Sequence, residues 1–386
     1  MRGIYIHVPF CVRKCTYCDF YSVETSSHTT NGFPHLLARE MDLFRDRFPE
    51  DARAAADTVY FGGGTPTVLA PEALCGLLAT IRDRFPVAPG AEVTAETNPG
   101  TVSTEDLRAL RKGGFTRISV GVQSFSPTIL RTLGRIHGVE DARKTIRDAR
   151  STGFDSLGID LIFGIPGQTY TDWEEDLERT VASLPDHVSA YALAPETGTP
   201  LHASLSRGER KMPPDDEVAE MYKTARRALA NAGYRQYEIS NFARPGHESR
   251  HNVKYWKRDG VTGFGPSAHG LLFPPGGRAP HGLRTATPPS LAEYRKGIRE
   301  GHLPWADTLV CGPEEAWKEA LIFGLRMTEG VDLTEIETIS GSPLPDPLRE
   351  AVNELVDGGK LLREKGRLRL PGELLFVSNE VLQRLA

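Results

Sequence analysis

The chain alternates between two patterns of hydrophobic and polar positions. Short runs rich in Val, Ile, Tyr and Phe are typical of β-strands, and longer segments with apolar residues every three or four positions are typical of helices. Strand and helix alternate six times, which predicts parallel βαβ units in a doubly wound or a barrel-like sheet of the α/β class. The predicted strands are Gly3–Phe10, Asp57–Gly64, Glu92–Pro99, Thr116–Ser124, Ser156–Pro166 and His187–Pro195.

The helical spacing lies between these strands, and residues that favour a helix N-terminus precede two of the segments. Ser103 and Thr171 are the predicted caps, since their side-chain oxygens can accept hydrogen bonds from free backbone amides. The predicted helices are Pro71–Phe85, Ser103–Gly114, Val139–Gly153, Thr171–Leu184 and Asp215–Gly233.

Polar residues and glycines collect where the predicted strands end. The sequence GGGTP, Glu96, Gln123 and the sequence GIPGQ each follow or close a successive strand. Barrels of parallel strands gather their chemistry on that face, so this placement favours a partial barrel over a doubly wound sheet.

The rest of the chain divides into two further regions. Residues 241–310 are predicted to extend the barrel, with an irregular loop at 271–290 where Pro, Gly and Thr crowd together. From residue 311 to 386, helices precede an apparent two-stranded hairpin, which predicts a small winged-helix-like α+β domain. We therefore expect three regions: 1–240, 241–310 and 311–386.

Composition places the chain among globular proteins. Hydrophobic residues make up 39% and charged residues 25%, and no run approaches the roughly 18 apolar residues of a membrane span. The N-terminus resembles a first strand more than a signal peptide, so we expect a cytoplasmic protein. A formal net charge of -5 gives no overall attraction for nucleic acid, and acids interrupt the basic residues of the C-terminal hairpin.

Three of the five cysteines, Cys11, Cys15 and Cys18, lie within eight residues. An odd number of cysteines argues against a disulfide framework, and Cys75 lies on the apolar side of a predicted helix, where a structural role is expected. A triplet spaced C-x3-C-x2-C fits three corners of a [4Fe-4S] cluster, which leaves one iron open. The alternatives are zinc with a fourth ligand from His7 or Asp19, and redox or incidental thiols.

The sequence YIHVPFCVRKCTYCDF, together with VYFGGGTPT, resembles the radical S-adenosylmethionine (SAM) superfamily and, within it, the oxygen-independent coproporphyrinogen III oxidase-like subfamily. The resemblance implies a partial (β/α)6 barrel in which Cys11, Cys15 and Cys18 hold the cluster. It also implies that SAM chelates the open iron and is cleaved to a 5'-deoxyadenosyl radical.

Further positions carry the resemblance into the cofactor site. Gly62 to Thr65 match a glycine-rich motif for the SAM amino group, and Tyr17 matches an aromatic that packs against the adenine. Without the resemblance, glycines serve turns, Glu96 and Asp160 can bond loop amides, and Gln123 and Arg135 can be a cap and a surface ion pair. The resemblance implies Tyr5, Gly63 and Glu96 for a first SAM, and Tyr17, Gly64, Thr65, Gln123, Arg135 and Asp160 for a second SAM position.

Two features separate an oxidase from a haem carrier. Oxidases of this subfamily have a further cysteine two residues after the third ligand, where this chain has Phe20, and a longer N-terminal extension. The segment His251–Trp256 matches the H-N-x-x-Y-W signature of the HemW-type haem chaperone branch, which implies His251, Asn252, Tyr255 and Trp256 in haem binding. The alternative is a packed loop, and His269, His7 and His137 are further candidate ligands.

These resemblances give one leading hypothesis and two alternatives. The leading hypothesis is a haem chaperone that carries a SAM-liganded [4Fe-4S] cluster and delivers haem to acceptor haemoproteins. The alternatives are a radical SAM oxidoreductase that decarboxylates coproporphyrinogen propionates, and a zinc-stabilised interaction protein. The same resemblance suggests a flavodoxin- or ferredoxin-like electron donor, a homodimer, and a peripheral place at the inner face of the membrane.

Overall fold

The structure is a computed structural model that describes residues 1–26, 30–274 and 279–386. Its strands form one large sheet and two small ones. The strands are β1 Arg2–Val8, β2 Phe10–Cys11, β3 Val23–Glu24, β4 Ala56–Gly63, β5 Val87–Thr97, β6 Arg117–Gln123, β7 Ser156–Phe163, β8 His187–Ala192, β9 Arg235–Gln236, β10 Asn241–Ala243, β11 Val261–Phe264, β12 His269–Leu272, β13 Leu283–Ala286, β14 Asp307–Val310, β15 Val331–Asp332, β16 Leu362–Glu364 and β17 Arg367–Arg369.

The helices follow the strands as the periodicity predicts. Ser103 caps its helix, accepting a hydrogen bond from the amide of Asp106. The prediction of Thr171 as a cap is wrong, because the helix begins at Tyr170 and Thr169 accepts from the amide of Asp172 instead. The helices are α1 Phe33–Arg47, α2 Pro49–Arg53, α3 Pro71–Arg84, α4 Thr104–Gly113, α5 Pro127–Leu133, α6 Val139–Thr152, α7 Tyr170–Ala182, α8 Pro200–Ser206, α9 Asp215–Asn231, α10 Arg250–Trp256, α11 Leu291–Arg299, α12 Pro313–Gly324, α13 Leu333–Ser340, α14 Asp346–Asp357 and α15 Ser378–Leu382.

The large sheet is wound as a partial barrel. Its strands β1, β4, β5, β6, β7 and β8 are parallel and stand side by side in chain order. A doubly wound sheet reverses its strand order at one point, and these six strands do not. The predicted partial (β/α)6 barrel is confirmed.

Two further groups of strands lengthen the large sheet at its edges, and most of their pairings are antiparallel. β11 pairs parallel to β1 and is followed outward by β12, β13 and β14, while β10 and β9 extend the sheet beyond β8. The prediction of an irregular loop at 271–290 is therefore wrong in part, because the end of β12 and the whole of β13 lie within it; its residues 275–278 lie outside the described part of the chain. These segments form strands despite their turn-rich composition because they pair through their backbones with the open edge of the sheet.

The six parallel strands present a polar face inward and an apolar face outward. On β6, Ile118, Val120 and Val122 are fully buried against the surrounding helices, while Arg117 and Ser119 line a central cavity. Alternation of side chains along a strand produces this separation. Burial of one such aliphatic side chain contributes about 1.5 to 3 kcal/mol, so the outer layer stabilises the barrel and leaves its interior free for polar chemistry.

The C-terminal region forms its own small sheet in the order β15-β17-β16, with β16 and β17 as a hairpin. Helix α14 buries Leu348, Val352 and Leu355, and Trp317 of α12 is fully buried. Helices followed by a hairpin confirm the predicted winged-helix-like arrangement. The boundaries of the three predicted regions stay a prediction.

Candidate cofactor site

The three clustered cysteines lie on the segment that leaves β2, at the mouth of the central cavity. All three are half-buried free thiols. The hydroxyl of Thr65 donates to the sulfur of Cys11 at 3.5 Å, and Nη1 of Arg135 donates to the sulfur of Cys15 at 3.3 Å. The thiols therefore meet one cation and one hydroxyl donor, which suit sulfur in its anionic form.

The arrangement of the cysteines fits an iron-sulfur cluster better than a single ion. Within the described ranges, no three side chains of His, Cys, Asp or Glu converge where one metal ion could bind. Zinc requires that convergence, whereas each cysteine of a cubane binds a different iron atom. Burial raises the pKa of the Cys18 thiol to about 11, and Cys15 and Cys11 add to the rise, so a metal centre must displace protons to bind here.

A cavity of about 380 Å³ extends from the cysteines into the barrel. Its inner end is lined by Arg117, His187, Ser249 and Asn252. The cavity thus reaches from the cysteine loop to the start of α10. Of the residues that the sequence predicts for the cofactors, it gathers Cys11, Cys15, Cys18, Tyr17, Gly63, Gly64, Thr65, Glu96, Gln123, Arg135, Asp160 and Asn252.

The glycines at the end of β4 are required by close packing. A Cβ atom at Gly64 would lie 2.6 Å from the carbonyl oxygen of Phe10, and Gly63 has a φ of 104°. A Cβ at Gly62 would lie 3.0 Å from the carboxylate of Glu96. These positions let β4 pass directly beneath the cysteine segment and bring its backbone to the cavity wall.

Glu96 is a buried acid held at the centre of the cavity wall. Its carboxylate accepts hydrogen bonds from the hydroxyl of Tyr60 at 2.6 Å and from the amide of Gly63 at 3.3 Å. Burial raises its pKa to about 7, an effect that these two donors oppose. Burial and the two donors therefore act on Glu96 in opposite directions.

Gln123 and Asp160 close the wall formed by β6 and β7. Gln123 has a φ of 68°, and the β6–β7 register shifts between Gly121 and Gln123. A non-glycine residue in this region is strained, and such strain concentrates at functional sites. Asp160 accepts from the hydroxyl of Ser119 at 3.1 Å, and burial raises its pKa.

Arg135 joins the cavity wall to the cysteine loop. Besides its contact with Cys15, its Nη2 donates to the carbonyl of Gly121 at 2.7 Å and to the side chain of Asn98. Tyr17 packs beside it on the apolar cluster of Ile129, Leu133, Ile162 and Ile165. A planar ligand placed here would find an aromatic ring with an apolar backing and a guanidinium within reach.

The H-N-x-x-Y-W segment forms α10 and not a loop. His251 is 1% exposed, and its ring nitrogens contact Thr58 Oγ1 at 2.8 Å and the Tyr255 hydroxyl at 3.3 Å. Its ring stacks on Tyr60 with a centroid distance of 5.1 Å, and burial lowers its pKa to about 3. In this conformation His251 is a neutral, packed imidazole.

The rest of the segment also packs against the protein, apart from Asn252. Trp256 packs with Tyr237 and Met327, and the guanidinium of Arg326 lies 4.7 Å from its ring centre. Tyr255 meets the His251 ring edge-on. The structure therefore separates the predicted haem residues: Asn252 lines the cavity, and His251, Tyr255 and Trp256 do not.

The remaining candidates differ in accessibility. The hydroxyl of Tyr5 is hydrogen-bonded to Nδ1 of His7 at 3.2 Å, and Tyr5 does not line the cavity. His7 also contacts the carbonyl of Tyr21 at 3.0 Å, and burial lowers its pKa to about 4. His137 contacts the carbonyl of Val122 at 3.2 Å, while His269 is exposed at the start of β12.

Several cavity residues escaped the sequence analysis, and the alternation along strands was the signal that could have found them. Arg117, Ser119, Gly121 and Gln123 share one face of β6, and His187, Ser189 and Tyr191 share one face of β8. Polar or small residues at every second position of a central strand indicate a polar interior. The residues missed in this way are Tyr60, Asn98, Arg117, Ser119, His187, Ser189 and Tyr191.

Comparison with known protein families gives two matches along the chain. Residues 5–180 match the radical SAM superfamily, and residues 312–373 match the HemN C-terminal domain. The first region contains the cysteine loop and most of the cavity wall, and the second contains the small C-terminal sheet.

Relatives match the chain nearly from end to end. The protein named "Heme chaperone HemW" of Bacillus subtilis is 32% identical, over 99% of this chain and 98% of its own length. Its namesake in Mycobacterium tuberculosis is 35% identical over 99% and 94%, and that of Escherichia coli is 37% identical over 76% of each chain.

Among solved structures, coproporphyrinogen III oxidase (HemN) from Escherichia coli has the same fold. Its TM-score is 0.83 at 22% sequence identity, over 99% of this chain and 89% of that chain. In the described part of the chain, no helix combines the length and the apolar character needed to cross a membrane.

Proposed function

Because the chain belongs to the radical SAM superfamily and to the family of the HemW heme chaperones, we propose that it binds haem and transfers it to acceptor haemoproteins. The observation that carries this proposal is the similarity to proteins of that name over 99% of the chain. Phe20, which occupies the position of the additional oxidase cysteine, is 65% exposed beside the cavity. Its side chain supplies neither a thiol nor a proton to that cavity.

We infer that the cysteine loop holds a [4Fe-4S] cluster and that SAM occupies the adjoining cavity. With three cysteines bound, the cluster supplies an open iron and reducing electrons to SAM. Arg135 offsets negative charge at the cysteines through its contact with Cys15. The carboxylate of Glu96 can accept hydrogen bonds from an amine or from ribose hydroxyls, while the amides of Gly63 and Gly64 donate to Glu96 and to the carbonyl of Val8 and hold this wall in place.

Tyr17, Thr65, Gln123 and Asp160 complete this proposed SAM site. The apolar backing of Tyr17 suits an adenine ring, and Asp160 can accept hydrogen bonds from hydroxyl groups once deprotonated. Tyr5 does not line the cavity and would affect this site only through Tyr60. The two rings stack with a distance of 6.2 Å between their centres. An electron donor, a homodimer, a cytoplasmic location and a peripheral place at the inner membrane face stay predictions.

For haem, we propose that the segment His251–Trp256 acts in a second conformation of α10. In the packed conformation His251 has no free nitrogen, so ligation requires it to leave Thr58 and Tyr255. Helix α10 has only seven residues, and few backbone hydrogen bonds oppose such a movement. His269 is already exposed and is the alternative axial ligand.

A haem titration followed by Soret absorbance tests the proposal. We expect saturation near one haem per chain. His251→Ala and the more conservative His251→Gln should each weaken binding, and His269→Ala tests the alternative ligand. An unchanged affinity and spectrum in both His251 variants would exclude His251 as a ligand, and loss in His269→Ala would assign the ligand there.

An oxidase assay separates the chaperone from the enzyme. Protein reconstituted without oxygen is incubated with SAM, a reductant and coproporphyrinogen III. The chaperone function predicts that no protoporphyrinogen is formed, and conversion at or above one equivalent would contradict it.

A further inference from the structure

The inner end of the cavity contains a buried guanidinium without an acidic partner. Arg117 is 3% exposed and lines the cavity. Within residues 1–26, 30–274 and 279–386, no Asp or Glu oxygen lies within 4.0 Å of its nitrogens. Buried charges in proteins are usually paired, because removal of an ion from water is costly.

The protein itself engages one nitrogen of this guanidinium. Nη1 of Arg117 donates to the hydroxyl of Ser156 and to the carbonyl of His247, both at 2.9 Å. These contacts attach the segment that precedes α10 to β6. Both contacts use Nη1, and the guanidinium has further N–H donors in a residue that lines the cavity.

Arg2 shows how this fold accommodates an arginine that is structural. Arg2 is 7% exposed and, in the described part of the chain, has no ion-pair partner within 4.0 Å; Asp51 acts on it from farther away, and its guanidinium lies 4.9 Å from the ring centre of Phe85 and 5.8 Å from that of Phe44. Those rings replace a counter-ion. Arg117 has no such aromatic contact and faces a cavity instead.

Neutral groups line the cavity with Arg117, together with the carboxyl of Asp160, whose charged form Arg117 favours from beyond ion-pair distance. His187 is 2% exposed, its Nε2 contacts the Tyr237 hydroxyl at 2.9 Å, and its Nδ1 has no hydrogen-bond partner. Burial and the charge of Arg117 hold the pKa of His187 well below its usual range, so it is neutral. Ser249 and Asn252 line the same inner end.

We propose that Arg117 is the centre of a carboxylate-binding subsite at the inner end of the cavity. A carboxylate there would accept a hydrogen bond from the free side of the guanidinium and one from the Asn252 amide. Asp160 and Glu96 line the same cavity, and burial raises the pKa of each, which reduces their repulsion of a ligand carboxylate. The inference rests on the proposed use of this cavity by small molecules.

Two sources carry such a carboxylate in the proposed function: the amino-acid end of a second SAM molecule, since the first is expected to chelate the cluster at the cavity mouth, and a propionate of haem. The cluster-loaded protein distinguishes them in separate titrations. SAM binding is measured by equilibrium dialysis, and haem binding by Soret absorbance. Arg117→Gln should lower the number of SAM molecules bound per chain or weaken haem binding about tenfold or more.

A second variant keeps the test valid if Arg117→Gln does not fold. Ser249 is the N-cap of α10, accepting from the amide of Asn252, and Asp is an equally good cap. Ser249→Asp therefore preserves α10 and places a carboxylate beside Arg117, where it would compete with the ligand. The matched control is Arg143→Gln, which removes an exposed arginine paired with Glu140 on α6.

The outcomes assign or remove the subsite. If only SAM binding is weakened, the bound carboxylate is that of SAM. If only haem binding is weakened, it is a haem propionate. Unchanged binding of both ligands by Arg117→Gln and Ser249→Asp would overturn the proposal. Failure of the wild-type protein to bind either ligand would instead refute the proposed function.

Discussion

The cysteine loop and helix α10 both carry residues that the sequence indicates as ligands, yet they present them in opposite ways. At the cavity mouth, three half-buried thiols face open space beside Arg135. In α10, both nitrogens of His251 already contact the protein. The first region presents its thiols to the cavity, and the second must rearrange to bind anything through His251.

The presence of a sequence motif and the accessibility of its ligand atoms are therefore separate properties. A sequence pattern reports which residues occur together, whereas burial and hydrogen bonding decide which atoms remain free. The following experiments test the contrast between the two regions, beginning with the largest expected effect.

Removal of a cysteine at the mouth should abolish the cluster. Cys15→Ala takes away one of three iron ligands and should reduce iron and acid-labile sulfide to near zero after anaerobic purification. Cys75→Ala is the matched control, since that thiol lies between α3 and α4, with its sulfur 3.7 Å from the carbonyl of Ala109. Full cluster content in Cys15→Ala would show that the loop does not hold it.

Removal of the packed imidazole of α10 should cost stability whether or not haem is present. His251→Ala deletes a buried ring that stacks on Tyr60 and bonds to Thr58, and we expect a loss of about 3 kcal/mol in the free energy of unfolding. Urea unfolding of the haem-free protein measures it. Asn252→Ala, on the cavity side of the same helix, should lose less than about 1 kcal/mol. Equal losses of unfolding free energy in the two variants would show that the two faces of α10 do not differ in their packing.

The buried acid Glu40, which lies outside both regions, should make the stability of the protein depend on pH. Glu40 is fully buried, accepts from the amide of Gly265 and the hydroxyl of Tyr294 at 2.8 Å each, and has one oxygen without a partner. Burial raises its pKa to about 8, so the folded protein holds this proton at a pH where the unfolded chain, with a pKa of 4.5, has released it. Its contribution to stability therefore falls as pH rises from about 4.5 to 8.

The size of that effect is measured by urea unfolding at pH 5.5 and pH 8.5. The wild-type protein should lose on the order of 2 to 3 kcal/mol more than Glu40→Gln over this interval. Glu105→Gln, a substitution of an exposed acid on α4, should behave as the wild-type protein does. Parallel pH profiles for wild type and Glu40→Gln would show that Glu40 is ionised in the folded protein.

The smallest effect is expected at Phe20. Because this side chain is 65% exposed, Phe20→Cys should change the free energy of unfolding by no more than about 0.5 kcal/mol. Urea unfolding under reducing conditions measures it. A loss above about 2 kcal/mol would show that Phe20 packs against the cysteine loop and has a structural role.

The sequence predicts the barrel well because its signal is local and repeated. Six alternations of strand and helix, together with glycines and acids at strand ends, predict both the fold and the face that carries the site. The antiparallel strands β12 and β13 could not be predicted in this way, because their pairing depends on an edge supplied by β11, not on their own composition.

The lining of the cavity could be predicted where residue type and position along the strands indicate it, as with the three cysteines and Glu96. It was not predicted where tertiary contacts decide the role. Nothing in H-N-x-x-Y-W reveals that Thr58, 193 positions earlier, receives the His251 ring. Arg117 likewise reads as an ordinary strand residue until the sheet closes around it and its guanidinium lies in the cavity without an acid.

The measurement that tests the central claim most directly is the electron paramagnetic resonance spectrum of the reduced, anaerobically purified protein before and after addition of SAM. Three cysteine ligands and an open iron predict the signal of a [4Fe-4S] cluster whose shape changes when SAM binds. A protein that contains zinc without sulfide, or a cluster signal that SAM leaves unchanged, would contradict the account of an open cluster at the cavity mouth.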